Sequence, residues 1–267
     1  MIVYDMSNEE YHAHDSISKT GLDLIARSPA HYRYAPRREP TRAMTIGSAT
    51  HAAILEPAVY ASRYLTVSVD DRRSTVWKEA VKARGEEFTL TQPEGDRIAA
   101  MAEAVRGNAH MAGVLTGTGN AEVSMFATDP VTGVTVRVRF DWLGATGNAA
   151  DLKTAADASD DAFGKSVVNY RYYVQEALYR DVFQWATGER LGGFEFHVVE
   201  SDAPYCTNVV RLPADAVEYG RQVYRRDLNR YAECLSSGVW PGLPGEPHTL
   251  ALPGWFVAEI ENSQEVV

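Results

Sequence analysis

Residues 136–154 read VRVRFDWLGATGNAADLKT, and the fold turns on how this stretch is read. Val136, Val138 and Phe140 alternate with Arg137, Arg139 and Asp141, the period-two pattern of a half-buried strand. AADLKTAAD then reads as a short third strand. Side chains two apart on a strand share a face, so Asp151 and Lys153 project together while Leu152 points into the core. If Asp141 ends the neighbouring strand, its carboxylate joins Asp151 around a hard cation such as Mg²⁺, with the Leu152 main-chain carbonyl as a further oxygen ligand. Lys153 would then orient a water or stabilise developing negative charge. Taken alone the spacing is a weak pattern, and its plainer reading is a salt-bridged strand end.

Working outward, AEVSMFATD and GVTVRVRFDWLG are alternating runs separated by PVTG, a hairpin signature. Downstream, DAFGKSVVNYRYYVQEALYRDVFQWATG reads as one long helix with Val174, Leu178, Val182 and Trp185 along one side. Gln175 and Tyr179 are four apart on that helix and stack on one face, where both could reach DNA or the edge of a site. GFEFHVVESDAPYCTNVVRL supplies two strand-like runs, and PADAVEYGRQVYRRDLNRYAECLSSG another helix ending at Gly238. The tail VWPGLPGEPHTLALPGWF is rich in Pro and Gly and reads as a surface wrap.

Upstream, SISKTGLDLIARSPAHYRY reads as a helix capped by Ser18, with Leu22, Leu24 and Ile25 as its apolar face and a stop at Ser28-Pro29. Arginines 33, 37, 38 and 42 precede a helix over MTIGSATHAAILEP, which ends at Pro57 and carries His51 among small and apolar residues. A lone histidine there suits a hydrogen-bonded interface; as a neutral imidazole it could also ligate a metal, accepting Mn²⁺ more readily than Mg²⁺. Residues 66–95 are polar and read as a partly helical surface excursion, followed by an amphipathic helix over PEGDRIAAMAEAVRGN.

The order of helices, hairpin, strand, helix, strands and helix predicts an α/β protein with a mixed central sheet flanked by helices and a helical N-terminal extension. The 267 residues are read as one domain: a mainly helical part over 1–110, the sheet and site over 111–212, and a helix with its tail over 213–267. No apolar run of about 18 residues and no signal-peptide pattern occurs, so no membrane partner and a cytoplasmic location are expected. Cys206 and Cys234 lack metal-binding spacing, so neither a zinc ribbon nor an iron–sulfur cluster is expected. The net charge of −10 argues against non-specific coating of nucleic acid, though not against a local basic channel.

These segments together resemble a known family. MSNEEYHAHDSISKTGLDLIARSPAHY, IGSATHAAILEP, TGVTVRVRFDWL, DLKTAAD, YRYYVQEALYRD and VWPGLPGEPHTLALPGW resemble, in the same order, the C-terminal nuclease domain of the RecE exonuclease (exonuclease VIII). That domain belongs to the PD-(D/E)xK superfamily, near the RecB-type nucleases. The resemblance implies a PD-(D/E)xK, restriction-endonuclease-like core and a Mg²⁺-dependent exodeoxyribonuclease. It would degrade linear double-stranded DNA from the 5′ end and leave 3′ overhangs for phage-type homologous recombination. It further implies His51, Asp141, Asp151 and the Leu152 carbonyl as metal ligands, Lys153 as the catalytic lysine, and Gln175 and Tyr179 as the helix motif. Glu122 matches an acidic position of the family. Phe140 stands where relatives often carry the proline that names the superfamily.

Expected partners are a ring of identical subunits, such as a tetramer, and a single-strand annealing protein, in a bacterial host carrying a phage or prophage. For phosphate contacts the first candidates are Arg137 and Arg139, followed by Arg72, Arg73, Arg37 and Arg38. Three other readings stand beside this one: a RecB-like or CRISPR-associated nuclease preferring single strands or 3′ ends, a catalytically silent DNA-binding or assembly module of a recombination system, and a metal hydrolase acting on another phosphate ester.

Overall fold

The computed structural model describes residues 1–36, 40–252, 254, 256 and 257. In chain order the first part holds β1 (Ile2–Val3), α1 (Asn8–Ala13), α2 (Lys19–Arg27), α3 (Pro29–Tyr34), α4 (Arg42–Leu55), α5 (Pro57–Arg63), β2 (Leu65–Val67), α6 (Thr75–Arg84), β3 (Thr89–Thr91), α7 (Gln92–Gly107) and α8 (Ala109–Leu115). Then follow β4 (Gly119–Thr128), β5 (Thr135–Gly144), β6 (Asn148–Ala155), α9 (Asp160–Asn169), α10 (Tyr172–Thr187), β7 (Gly193–Glu200), β8 (Thr207–Val210) and α11 (Ala214–Ser237). Among the described residues no helix is long and apolar enough to cross a membrane.

The central sheet has the order β1-β4-β5-β6-β7-β8, parallel between β6 and β7 and antiparallel elsewhere. Helices cover both faces. On one side Val136, Val138, Phe140, Phe194 and Phe196 pack with Leu22 and Ile25 of α2, Val174, Leu178 and Val182 of α10, and Tyr224 and Leu228 of α11. On the other, Leu152 and Val199 pack with Ala49 and Ala53 of α4, Ile98, Met101 and Val105 of α7, and Met111 of α8. The alternation read from the sequence is thus realised as two cores separated by one sheet.

The hairpin forms as expected, and its turn is pinned from a distance. Buried Asp129 accepts from Thr132 N at 2.9 Å and pairs with Arg225 of α11 at 2.7 Å. Between β5 and β6 the pairing covers only Trp142–Ala150 and Leu143–Ala149. Beyond that point the strands part, and Asp141 and Asp151 flank the split.

One sequence expectation is corrected and two are extended. Residues 160–187 form two helices rather than one, because Arg171 adopts the left-handed conformation, φ 56° and ψ 44°. That conformation costs roughly 1–2 kcal/mol for a residue with a Cβ; the Arg171 guanidinium offsets it by bonding Asp23 of α2 at 2.9 Å and buried Asp227 of α11. The excursion over 66–95 holds a two-stranded parallel sheet of β2 and β3. Buried Trp77 of α6 anchors this region under Arg42, which bonds Glu94 at 2.8 Å. The N-terminal part is also more than an extension, since β1 pairs with β4 and Ile17, Leu22 and Ile25 enter the core of the sheet.

Helices α10 and α11 meet at Gly220, where a Cβ would lie 2.1 Å from the Tyr173 carbonyl oxygen. Gly220→Ala is therefore expected to lower stability by about 1–3 kcal/mol, as overpacking does. Exposed Gly164 is the contrast, since a Cβ there would meet nothing within 4 Å: Gly164→Ala should raise stability by about 0.5–1 kcal/mol. Urea unfolding of the two variants checks both signs.

Candidate active site

Asp151 and Lys153 share one face of β6, as two-residue spacing requires, and their side chains meet at 2.5 Å. Buried Gln175 of α10 bridges the pair: its amide Nε2 donates to Asp151 Oδ1 at 2.5 Å, and its Oε1 accepts from Lys153 Nζ at 3.2 Å. The Tyr172 ring covers the ammonium at 4.5 Å, a cation–π contact. Across the split, Asp141 Oδ2 accepts the Leu152 N–H at 2.8 Å, so the parted strand finds a side-chain partner where its ladder stops. Leu152 itself packs in the second core. His51 reaches over from α4 to place Nδ1 3.4 Å from the same Asp141 oxygen.

Glu122 stands opposite Asp141 on β4 with φ 53°, a left-handed residue inside a strand. The ligand atoms of His51, Glu122 and Asp141 lie within 4.8 Å of one another. Backbone strain in a bulky residue persists only where its surroundings hold it, and it concentrates at functional sites. Asp151 Oδ2 is a buried oxygen that no aligned hydrogen bond satisfies, although Lys153 lies close enough for an ion pair. Two carboxylates and one imidazole, with the orphaned oxygen of Asp151 across the strand split, are a donor set that fits a divalent cation.

The electrostatics carry the mark of this crowding. Burial, then the Asp141 charge, pushes Glu122 up to about 8, against the pull of Arg139. Burial and then Asp151 push Asp141 up to about 6, against His51, Lys153 and the Leu152 N–H. Burial works against the Lys153 charge, but Asp151 and Asp141 outweigh it and hold its pKa above the usual lysine value. Lys153 is an ammonium at neutral pH. Tyr179 is raised well above the tyrosine range by burial and stays protonated.

A cavity of about 630 Å³ opens on this cluster, lined by His51, Asp141, Asp151, Lys153, Gln175 and Tyr179 of the expected set. Tyr179 also packs edge-on against Phe140 at 5.1 Å, and Phe140, in the position of the superfamily's proline, is a core residue. The cavity adds residues that sequence reading missed: Lys19, Asp23, Arg171 and Tyr172. Tyr172 was findable, since it lies three before Gln175 on the same helical face. Nothing local signalled Lys19 or Arg171, which arrive from α2 and from the break between helices.

The arginines of β5 depart from expectation. Arg137 donates to the His14 carbonyl at 2.9 Å and to Ser16, and Arg139 to Ser124 Oγ at 2.8 Å and the Met6 carbonyl at 3.0 Å. Both stack on Tyr11. These bonds fasten the N-terminal segment to the sheet, although Arg137 Nε finds no hydrogen-bond partner among the described residues, and neither arginine lines the cavity. Arg72 pairs with Glu86 and Arg73 with Asp71, also away from the cavity lining. Arg37 and Arg38 lie outside the described residues.

The raised carboxyls set a pH dependence. Both folded pKa values exceed the unfolded values of about 4, so their stabilising contribution is complete below about pH 4 and is lost as pH rises through about 6 for Asp141 and about 8 for Glu122. The melting temperature of metal-free protein is expected to fall over that window, with added Mn²⁺ reversing the fall and Glu122→Gln removing its upper part. A Glu122→Gln profile that superimposes on the wild type would exclude Glu122 from the cluster.

Among solved structures, the chain superimposes on a protein from Eubacterium rectale described as a "Putative exonuclease" with a TM-score of 0.65 and 13% identity, over 93% of this chain and 96% of that one. At that identity the likeness is one of fold. A second structure, SSO0001, aligns at a TM-score of 0.28 and 11% identity over 78% of this chain and 84% of that one, too distant to carry an argument. No curated protein matches the sequence. A family profile matches residues 19–251, which include β4 to β8 and every residue of the carboxylate and lysine cluster, so the chain belongs to the family described as PDDEXK-like domain of unknown function (DUF3799).

Proposed function

We propose that this protein is a divalent-metal-dependent exodeoxyribonuclease that degrades linear double-stranded DNA from the 5′ end and leaves 3′ single strands for recombination. The observation that carries the reading is the joining of Asp151, Lys153 and Gln175 on one cavity wall, with Asp141 directly across the strand split. The nuclease class rests on this cluster and on the family's fold. The end polarity, the overhang and the recombination role, with a subunit ring and an annealing partner, rest on the resemblance to the RecE nuclease domain.

A metal held by Asp141, Asp151, His51 and Glu122, with the Leu152 carbonyl beside them, would polarise the phosphodiester and lower the pKa of a water. The chain's own residues do the rest. Lys153, charged and fixed by Asp151, Gln175 and the Tyr172 ring, places a positive charge where negative charge develops on the phosphorus oxygens. Because it stays protonated it orients and stabilises rather than accepting the proton of the attacking water. Gln175 holds both the lysine and the aspartate in register, which excludes alternative rotamers of either. Lys19 lines the same cavity, paired with Asp23 at 2.8 Å, and is our candidate for contact with the DNA backbone, whereas Arg171 is committed to Asp23 and Asp227 and serves to position α10.

Digestion of a linear duplex labelled separately at its 5′ and 3′ ends, with Mg²⁺, Mn²⁺ or EDTA, tests the proposal. Metal-dependent loss of the 5′ label first is expected, abolished in Asp151→Ala. Lys153→Ala should lower the cleavage rate by at least about 10²-fold while leaving DNA affinity nearly unchanged. DNA binding without cleavage under any metal condition would instead favour a silent binding module.

Lys19→Ala should weaken duplex binding and reduce the slope of log affinity against log salt by about 1, the loss of one phosphate contact. An unchanged slope would remove Lys19 from the DNA path.

A further inference from the structure

A second group of ligand-type side chains gathers away from the cavity. His110, in the first turn of α8, meets Glu195 and His197 of β7. Both imidazole Nε2 atoms close on one oxygen, Glu195 Oε2, at 2.8 Å from His110 and 3.1 Å from His197. The second carboxylate oxygen, Oε1, accepts from Arg211 Nε at 2.9 Å. The three ligand atoms lie within 4.8 Å of one another.

Strand alternation separates this group from the Asp151–Lys153 pair, and none of its residues lines the cavity. Phe194, Phe196 and Val198 of β7 enter the core beneath α10, so Glu195 and His197 project from the other face, toward the layer of α7 and α8. Asp151 and Lys153 project toward α10, where Gln175 meets them. The two clusters share no residue, and Asp151 and Lys153 sit on the opposite face of the adjacent strand from Glu195 and His197.

We infer that His110, Glu195 and His197 form a zinc site that clamps α8 to the sheet. Two imidazole nitrogens and one carboxylate oxygen are a ligand set of zinc chemistry, and metal–ligand bonds of about 2.0–2.1 Å in a tetrahedron place neighbouring donors about 3.3 Å apart. The observed 2.8 and 3.1 Å need to open by only a few tenths of an ångström to admit the ion. Imidazole-rich sites select zinc over Mg²⁺, so this site and the oxygen-rich one discriminate between metals by ligand type. Arg211 on Oε1 is the outer partner that orients a ligating carboxylate.

The surroundings are already organised. Glu195 and His197 are 9% and 1% exposed on an interior strand, which fixes their positions. Asn108 caps α8 by accepting from His110 N and Met111 N, both at 3.1 Å, and its amide donates to Thr207 of β8 at 3.0 Å. His110 is therefore delivered by a helix already tied to the sheet, and its half-exposed side chain leaves an entry path and room for a water as fourth ligand.

The test is equilibrium dialysis of the full chain against Zn²⁺ with excess Mg²⁺, paired with Co²⁺ spectra, on wild type, His110→Ala, His110→Cys and Asp141→Asn. His110→Ala is expected to lose one equivalent of zinc and the intense absorption of tetrahedral Co²⁺, while its metal-free melting temperature stays near the wild type. His110→Cys should restore binding with a thiolate-to-cobalt charge-transfer band, and Asp141→Asn should keep the site. The inference is overturned if His110→Ala binds zinc as the wild type does, or if the wild type binds none beyond what Asp141→Asn removes. Failure of nuclease activity leaves this readout untouched.

Discussion

A lysine ammonium pressed against a buried aspartate is the constraint around which this molecule is built. Taking both charges out of water costs several kcal/mol per ion, and their attraction repays it only when the remaining donors and acceptors are also satisfied. Gln175 meets that condition by serving both partners at once, and the Tyr172 ring covers the exposed side of the ammonium. Both come from the first turn of α10, so that helix must begin at a set place and angle. The left-handed Arg171 sets its start, and the acids of α2 and α11 hold Arg171. The lysine thus depends on three helices distant in sequence, a network in which removing one member leaves a charge unpaired.

The carboxylates are arranged against their own stability. Glu122 is strained, Asp141 and Glu122 repel, and both hold their protons to higher pH than ordinary carboxyls, Glu122 past neutrality. Such an arrangement destabilises the metal-free fold and is relieved by a cation, which links occupancy of the site to stability. The sheet makes room for it by ending the β5–β6 ladder after two residue pairs and letting a side chain take over the freed N–H.

Charge is partitioned rather than spread. Lys19, Lys153 and Arg171 line the cavity, each paired with an acid, while Arg137 and Arg139 staple the sheet to the segment from Met6 to Ser16. An arginine on a strand face thus reads the same in sequence whether it meets a phosphate or a backbone carbonyl. Away from the cavity lining, two histidines and a glutamate gather beside α8, a nitrogen-rich group that shares no residue with the carboxylate cluster.

The hairpin, the strand with Asp151 and Lys153 on one face, the helical run bearing Gln175 and the mixed sheet flanked by helices were legible in the sequence, because period and spacing are local properties that the backbone converts directly into faces. The sequence likewise singled out His51, Asp141 and Phe140 as positions to examine. Only the tertiary structure decided that the helical run breaks at Arg171, since a left-handed residue there is favourable only with Asp23 and Asp227 in place. It alone turned Glu122 toward Asp141, brought Lys19 to the cavity and withdrew Arg137 and Arg139 from it. Each of these depends on a partner many residues away, and a long-range partner leaves no period in the chain from which it could be read.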